Sequence, residues 1–233
     1  RQMCIRDSAI PVRTKDFEWK TTVTASHNAN KLLSLSNDLY ETSNQIDHAY
    51  LGEPINLSTQ RMEVGRSMGQ FYGMKSVGVS ENGLWMVENT KTGEIEEFTD
   101  NMLSNDDYRQ YLGNALPKLY LGWNNSFRYK NFDLSFQYTL STAQKQTFVS
   151  YYLEDGDFLK MTNITLGYNI PLKSSKFVKN IRAYVSADNL FCITGYDGLD
   201  PEMSNGDIWS LGIDWRDKYP STRSFTFGLN VSF

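Results

Sequence analysis

Hydrophobic and polar residues alternate with a period of two along much of the chain. From Ser224 to the last residue the order is Ser-Phe-Thr-Phe-Gly-Leu-Asn-Val-Ser-Phe, apolar at every odd number and polar or glycine at every even one. Successive side chains of a strand point to opposite faces, so this segment has one apolar and one polar face. About ten residues also suffice for a tilted strand to cross a bilayer. Residues 17–26 alternate in the same way, with Phe17, Trp19, Thr21, Val23 and Ala25 on one face. So do residues 119–129, 132–140, 158–170 and 181–191. Residues 61–80 carry β-branched and aromatic side chains broken by Gly65, Gly69, Gly73 and Gly78, and predict a kinked or interrupted strand. The pattern thus predicts about seven strands.

The links between them are equally informative. A two-residue turn at Lys130-Asn131 would pair Tyr129 with Phe132 and keep Leu121, Trp123 and Phe127 on the same face as Leu134, Phe136 and Tyr138. A slip of one residue would move Asp133 to that face, at a cost on the order of 2 kcal/mol in lipid. Pro171 closes the strand before it, because proline cannot donate to a ladder. Residues 27–59, rich in Asn and Ser, predict a connection. Residues 81–116 predict a polar loop with a small hairpin, marked by Asn82-Gly83 and Thr92-Gly93. If the chain end is periplasmic, residues 141–157 and 192–223 fall outside, and Lys130-Asn131 and residues 172–180 fall at the periplasmic rim. Long links outside and short links inside mark an outer-membrane barrel. Residues 27–59, long and on the periplasmic side, break the rule.

Composition narrows the choice. Aromatic residues make up 14% of the 233 residues, high for an ordinary domain. No run of eighteen apolar residues exists, so no membrane-spanning helix is expected. A mean hydropathy of −0.49 does not exclude a barrel, because half of each strand is polar. A net charge of −4 without Lys/Arg clusters argues against nucleic acid as a partner. Cys4 and Cys192 are too few for a disulfide scaffold. The first residues, RQMCIRDS, have no pattern and no secretory character. Residues 1–8 are read as non-native, adaptor-derived sequence, and residues 9–233 as the barrel portion of an exported protein whose N-terminus is missing. The competing reading of the same alternation is a soluble, secreted, glycan-binding β-sandwich with the apolar faces turned inward.

Six stretches sharpen the picture: VGRSMGQFYGMKSVGV, YLGNALPKLYLGWNNSFRYKNFDLSFQ, YLEDGDFLKMTNITLGYNIP, IRAYVSADNLF, GYDGLDPE and YPSTRSFTFGLNVSF. In this order they resemble the C-terminal part of the SusC/RagA family of TonB-linked outer-membrane proteins, and the final Phe233 resembles the barrel-assembly signal. The resemblance implies an all-β, antiparallel transmembrane barrel of about 22 strands with a plugged lumen, of which this chain holds about seven. It implies a Gram-negative, Bacteroidetes-like outer membrane and import of oligosaccharides or peptides powered through the TonB complex. It also implies a SusD-type surface lipoprotein over the mouth. No enzyme activity and no cofactor are implied. The matched region leaves out the family's plug and TonB-contacting segment, which lie upstream. The link at residues 140–153 is shorter than in many relatives. Residues 98–113 carry Asp100, Asp106 and Asp107 but no glycine at the sharp turn of an EF-hand-type loop, so no metal is expected there.

Candidate site residues fall into two groups. Asp197, Asp200 and Glu202 lie in GYDGLDPE beside Gly198 and Pro201. They are read as an extracellular loop that shapes the mouth or touches the lid, or else as a plain turn. Trp209 and Trp215 follow, able to stack on sugars or anchor an interface, or to pack on their own loop. Asp133, Gln137, Asn163, Arg182 and Asp188, with Asn230, belong to the polar face and would line the lumen, in reach of substrate or plug. Trp19, Trp123, Tyr129, Phe132, Tyr138, Tyr168 and Phe233 are assigned to the lipid-facing band and its girdles. His27 and His48 have no nucleophile motif nearby, and Glu154-Asp155-Gly156-Asp157 reads as an acidic turn before a strand.

Overall fold

A computed structural model describes residues 2–50, 57–142, 145–148, 152–172, 177–202, 207–215 and 219–233. The strands in chain order are β1 (Gln2–Arg13), β2 (Phe17–Asn28), β3 (Gln45–Tyr50), β4 (Ser58–Glu63), β5 (Gln70–Met74), β6 (Ser76–Val79), β7 (Trp85–Glu88) and β8 (Ile95–Glu97). Then follow β9 (Arg109–Asn114), β10 (Leu119–Tyr129), β11 (Phe132–Thr142), β12 (Lys145–Phe148), β13 (Tyr152–Asp155), β14 (Phe158–Ile170), β15 (Asn180–Thr194) and β16 (Ser224–Ser232). No described helix is long and apolar enough to cross a membrane.

Seven long strands make one antiparallel sheet in the order β1-β2-β10-β11-β14-β15-β16. This is the wall. Tyr129 pairs with Phe132 as the alternation requires. Lys130 takes φ 51°, the left-handed value that a two-residue hairpin demands. The sheet is open, with β1 and β16 at its edges.

The wall differs from the sequence expectation in one strand. Residues 61–80 do not join it. They fall into β4, β5 and β6, whose Met62, Phe71 and Tyr72 are buried in a separate lobe. The seventh wall strand is instead β1, which takes in most of the patternless residues 1–8: Gln2 to Ser8 pair with Asn28 to Thr22. The free edge therefore lies at β1, one strand beyond the Phe17 strand. The reason is physical. A fully exposed edge strand needs no apolar code, whereas a buried lobe strand shows one.

This correction settles the direction of every strand. β2 and β10 are direct neighbours, so residues 29–118 form a single excursion from one rim. Residues 143–157 and 195–223 leave from the same rim. The other rim carries residues 14–16, Lys130-Asn131, residues 171–179 and the chain end. Turns on that rim touch, with Lys130 N–H donating to Asp16 O at 2.7 Å. The exception noted for residues 27–59 disappears, because that segment lies on the rim of long links.

The excursion folds as a lobe of two sheets, β3-β4-β5-β9 and the meander β6-β7-β8. Val87, Met102 and Tyr108 pack with Met74 and Phe98. An ionic staple sits beside them. Arg61 grips Asp47 with two bonds, Nε–Oδ1 at 2.6 Å and Nη2–Oδ2 at 2.9 Å, and reaches Asp106 at 3.2 Å. Its guanidinium lies 3.8 Å over the Tyr72 ring, with Arg109 4.8 Å from the same ring. The Arg61 bond is the main reason that Asp47 is held below the usual carboxylate range. Asp106 and Asp107, raised as metal candidates, are engaged by Arg61 and Lys91.

Candidate functional site

The register divides the wall into two faces. Leu121, Trp123, Phe127, Leu134, Phe136, Tyr138, Leu166, Val185, Phe227 and Leu229 share one. Phe225, Phe227 and Leu229 on β16 are 63–80% exposed, and no described sheet covers them. A groove of about 410 Å³ on this face is lined by Leu121, Trp123, Tyr138, Leu140, Leu159, Phe191 and Ile193. Two polar residues, Thr21 and Asn125, also lie on this face, paired across β2 and β10. Trp19 Nε1 donates to Asn125 Oδ1 at 3.1 Å and Trp123 Nε1 to Thr21 Oγ1 at 3.0 Å. These two tryptophans lie on the apolar face as expected, but their N–H groups serve the wall itself.

The polar face carries every sequence-selected lumen residue. Arg182 Nε donates to Asp133 Oδ1 at 3.0 Å. The pair crosses above Gly167, where a Cβ would overlap both groups. Asn163 Nδ2 donates to Asp188 Oδ1 at 2.6 Å and to Ser186 Oγ at 3.1 Å. Ser224 Oγ donates to Asp188 Oδ2 at 3.1 Å. Gln137 is exposed and lines a polar hollow of about 360 Å³ with Lys20, Thr22, Asn124 and Ser126. Asn230 lies opposite Arg182. The face is thus knit largely by its own side chains, with Gln137 and Asn230 exposed.

At the long-link rim the loop after β15 folds back onto the wall. Asp200 is buried, and its carboxylate accepts from Ser221 Oγ and from Glu202 N–H, the latter at 3.0 Å. Lys160 of β14, also buried, places Nζ 2.7 Å from Glu202 Oε2 and 3.7 Å from Asp200 Oδ2. Burial pushes Asp200 up, but the Ser221 bond, the Glu202 N–H and Lys160 together hold it below its ordinary value. Asp200 is therefore a fastener within the loop. Asp197 is exposed, with its N–H donating to Glu154 at 2.9 Å. Trp209 is exposed and Trp215 half-buried. A cavity of about 180 Å³ lies where this loop meets residues 115–117, lined also by Tyr120, Phe158 and Leu211.

Sequence reasoning passed over Lys160 and Gln60 and read His48 as a surface or rim histidine, whereas it is buried. Lys160 had a signal. The apolar positions shift from odd (Leu159, Met161) to even (Ile164, Leu166) across Thr162, where the register with β11 and β15 also shifts. A bulge there turns Lys160 to the polar face, beside Thr139. His48 and Gln60 had none, since their burial depends on a loop distant in sequence.

An amphipathic antiparallel wall with an exposed apolar face, a self-knit polar face and long links on a single rim defines an outer-membrane β-barrel wall. Comparison with known proteins narrows the class. No family model matches the chain. It is 30% identical over 282 residues to TonB-dependent receptor P3 of Formosa agariphila, a match that takes in 95% of this chain and 27% of that receptor. It is 26% identical over 273 residues to TonB-dependent receptor SusC of Bacteroides thetaiotaomicron, covering 97% of this chain and 25% of SusC. The first aligned stretch, 282 positions against 233 residues, shows that P3 carries residues this chain lacks. The structure of the RagAB peptide transporter superposes with a TM-score of 0.79 at 15% identity, over 99% of this chain and 28% of that one. RagAB in its closed-closed state gives 0.76. Together these matches support a SusC/RagA-type TonB-dependent receptor fragment of the outer membrane. It spans about a quarter of the length of the curated relatives it matches.

Proposed function

We propose that these residues form seven neighbouring strands of the barrel wall, and part of the extracellular mouth, of an importer for oligosaccharides or peptides. The observation that carries this reading is the two-faced wall whose long links all leave one rim. The apolar face meets lipid and the polar face lines the lumen. The lobe and the loop after β15 stand on the cell surface, where a SusD-type lipoprotein covers the mouth. Substrate passes by binding and release, with no bond broken, and TonB supplies the energy through upstream parts of the receptor. Asp133, Gln137, Asn163, Arg182 and Asp188 face the lumen. Asp197, Glu202, Trp209 and Trp215 belong to the mouth.

The test uses the intact receptor. It is tagged and drawn from outer membranes in mild detergent, and cells lacking it are grown on defined oligosaccharides or on peptides. Co-purification of a SusD-type lipoprotein, with loss of growth on one nutrient class, is the expected result. Unchanged growth on both classes would sink the import reading.

A further inference from the structure

The loop after β15 is held by two fasteners of opposite chemistry. At the wall it is ionic, through Lys160, Asp200 and Glu202. At the lobe it is neutral. Gln60 Nε2 donates to Leu211 O, and the His48 ring meets Trp209 edge-on, 5.8 Å between centroids at 84°. His48 and Gln60 face each other across β3 and β4. Gln60 is wholly buried, His48 is 5% exposed, and Ile213 of the loop is 2% exposed. Neither imidazole nitrogen of His48 nor Oε1 of Gln60 has a partner in hydrogen-bond geometry.

We propose that this seam is a proton-operated clasp: neutral His48 lets residues 207–213 close on the lobe, and protonated His48 lifts them off while Lys160 keeps the loop tied to the wall. An imidazolium has two N–H donors that need acceptors or water. The closed seam, covered by Trp209 and Ile213, places no acceptor in hydrogen-bond geometry with either ring nitrogen. Two carboxylates face His48. Asp47, on its own strand, is already neutralised by Arg61 and Arg109. Asp207, on the loop, is exposed and accepts from Trp209 N–H at 3.0 Å and Ser210 Oγ at 3.3 Å. Gln60 on β4 and Phe71 on β5 bring no charge. Burial outweighs the neighbouring Ile46 backbone, the Gln60 side chain and the two carboxylates, all of which favour the charged ring, and holds His48 below its ordinary value. The closed state then binds fewer protons than the open one. Closure is complete above about pH 6.5, the ordinary imidazole value, and weakens as pH falls below it.

Hydrogen exchange followed by mass spectrometry tests this on the intact receptor in detergent at pH 8 and pH 5.5, with rates corrected for intrinsic pH dependence. Protection of residues 207–213 should fall at low pH, by up to about tenfold per unit below 6.5. Segments 158–162 and 195–202 should keep theirs. His48→Phe and His48→Gln should each remove the pH dependence. Equal protection of residues 207–213 at both pH values would overturn the clasp. So would a pH-dependent loss that persists in both variants, or one shared equally by the wall.

Discussion

Replacing Lys160 with Met tests how the mouth is held to the wall. Methionine keeps the length of the side chain and removes its charge. Lys160 and Asp200 are 5% and 6% exposed in their side chains, whereas Glu202 is 40% exposed. The variant leaves Asp200 buried with hydrogen bonds from Ser221 and the Glu202 N–H but no cation beside it. Removing one partner of a buried ion pair costs about 3–5 kcal/mol. Losing the contact to the exposed Glu202 adds at most about 1 kcal/mol. The wall strands keep their ladders, so the cost falls on the loop. Asp200→Asn should cost less, about 1–3 kcal/mol, because Lys160 keeps Glu202 and the amide still accepts a hydrogen bond. The double variant should regain much of the Lys160→Met loss, since no unpaired charge stays buried. The assay is hydrogen exchange of residues 195–202 in the intact receptor, converted to an opening free energy. A Lys160→Met variant within about 1 kcal/mol of wild type, or an Asp200→Asn variant that is worse, would refute the reasoning.

Two further outcomes follow from the faces of the wall. Leu229→Arg on the apolar face should cost about 2–4 kcal/mol in lipid vesicles, and Asn230→Arg on the polar face within about 0.5 kcal/mol of nothing. The reverse order in urea unfolding would overturn the assignment of the two faces. Asn125→Leu alone leaves the Trp19 N–H without its acceptor and should cost about 1–3 kcal/mol, while Asn125→Leu with Trp19→Phe should return close to wild type or above it. Equal losses in the single and double variants, measured in the same unfolding assay, would show that the Trp19–Asn125 bond does not set the cost.

Much of the wall was legible because lipid on one side and polar lumen on the other impose a code on each strand separately. The alternation of residues 119–129 and 158–170 marks the limits of β10 and β14. The Lys130-Asn131 turn, with its flanking aromatics, fixes the register of β10 against β11. Gly83 and Gly93 adopt the positive φ that their turns predict. The lobe was less legible. Its strands are short, and their apolar residues point into a local core, which imitates an interrupted wall strand at residues 61–80. The candidate mouth residues divide for a similar reason. Asp200 looks like an exposed turn acid until β14 brings Lys160 beneath it.

The sequence alone determined the fold class, six of the seven wall strands and which side chains share a face, because a period of two is written locally along each strand. It also carried the family likeness. The tertiary structure decided what depends on pairing across distance. It placed β1 beside β2, put residues 29–118 on the rim of long links, buried Lys160 against Asp200 and closed Trp209 over His48. The Lys160–Asp200 and His48–Trp209 contacts join residues 40 and 161 positions apart. Their free energy lies in burial and charge pairing that no local pattern records.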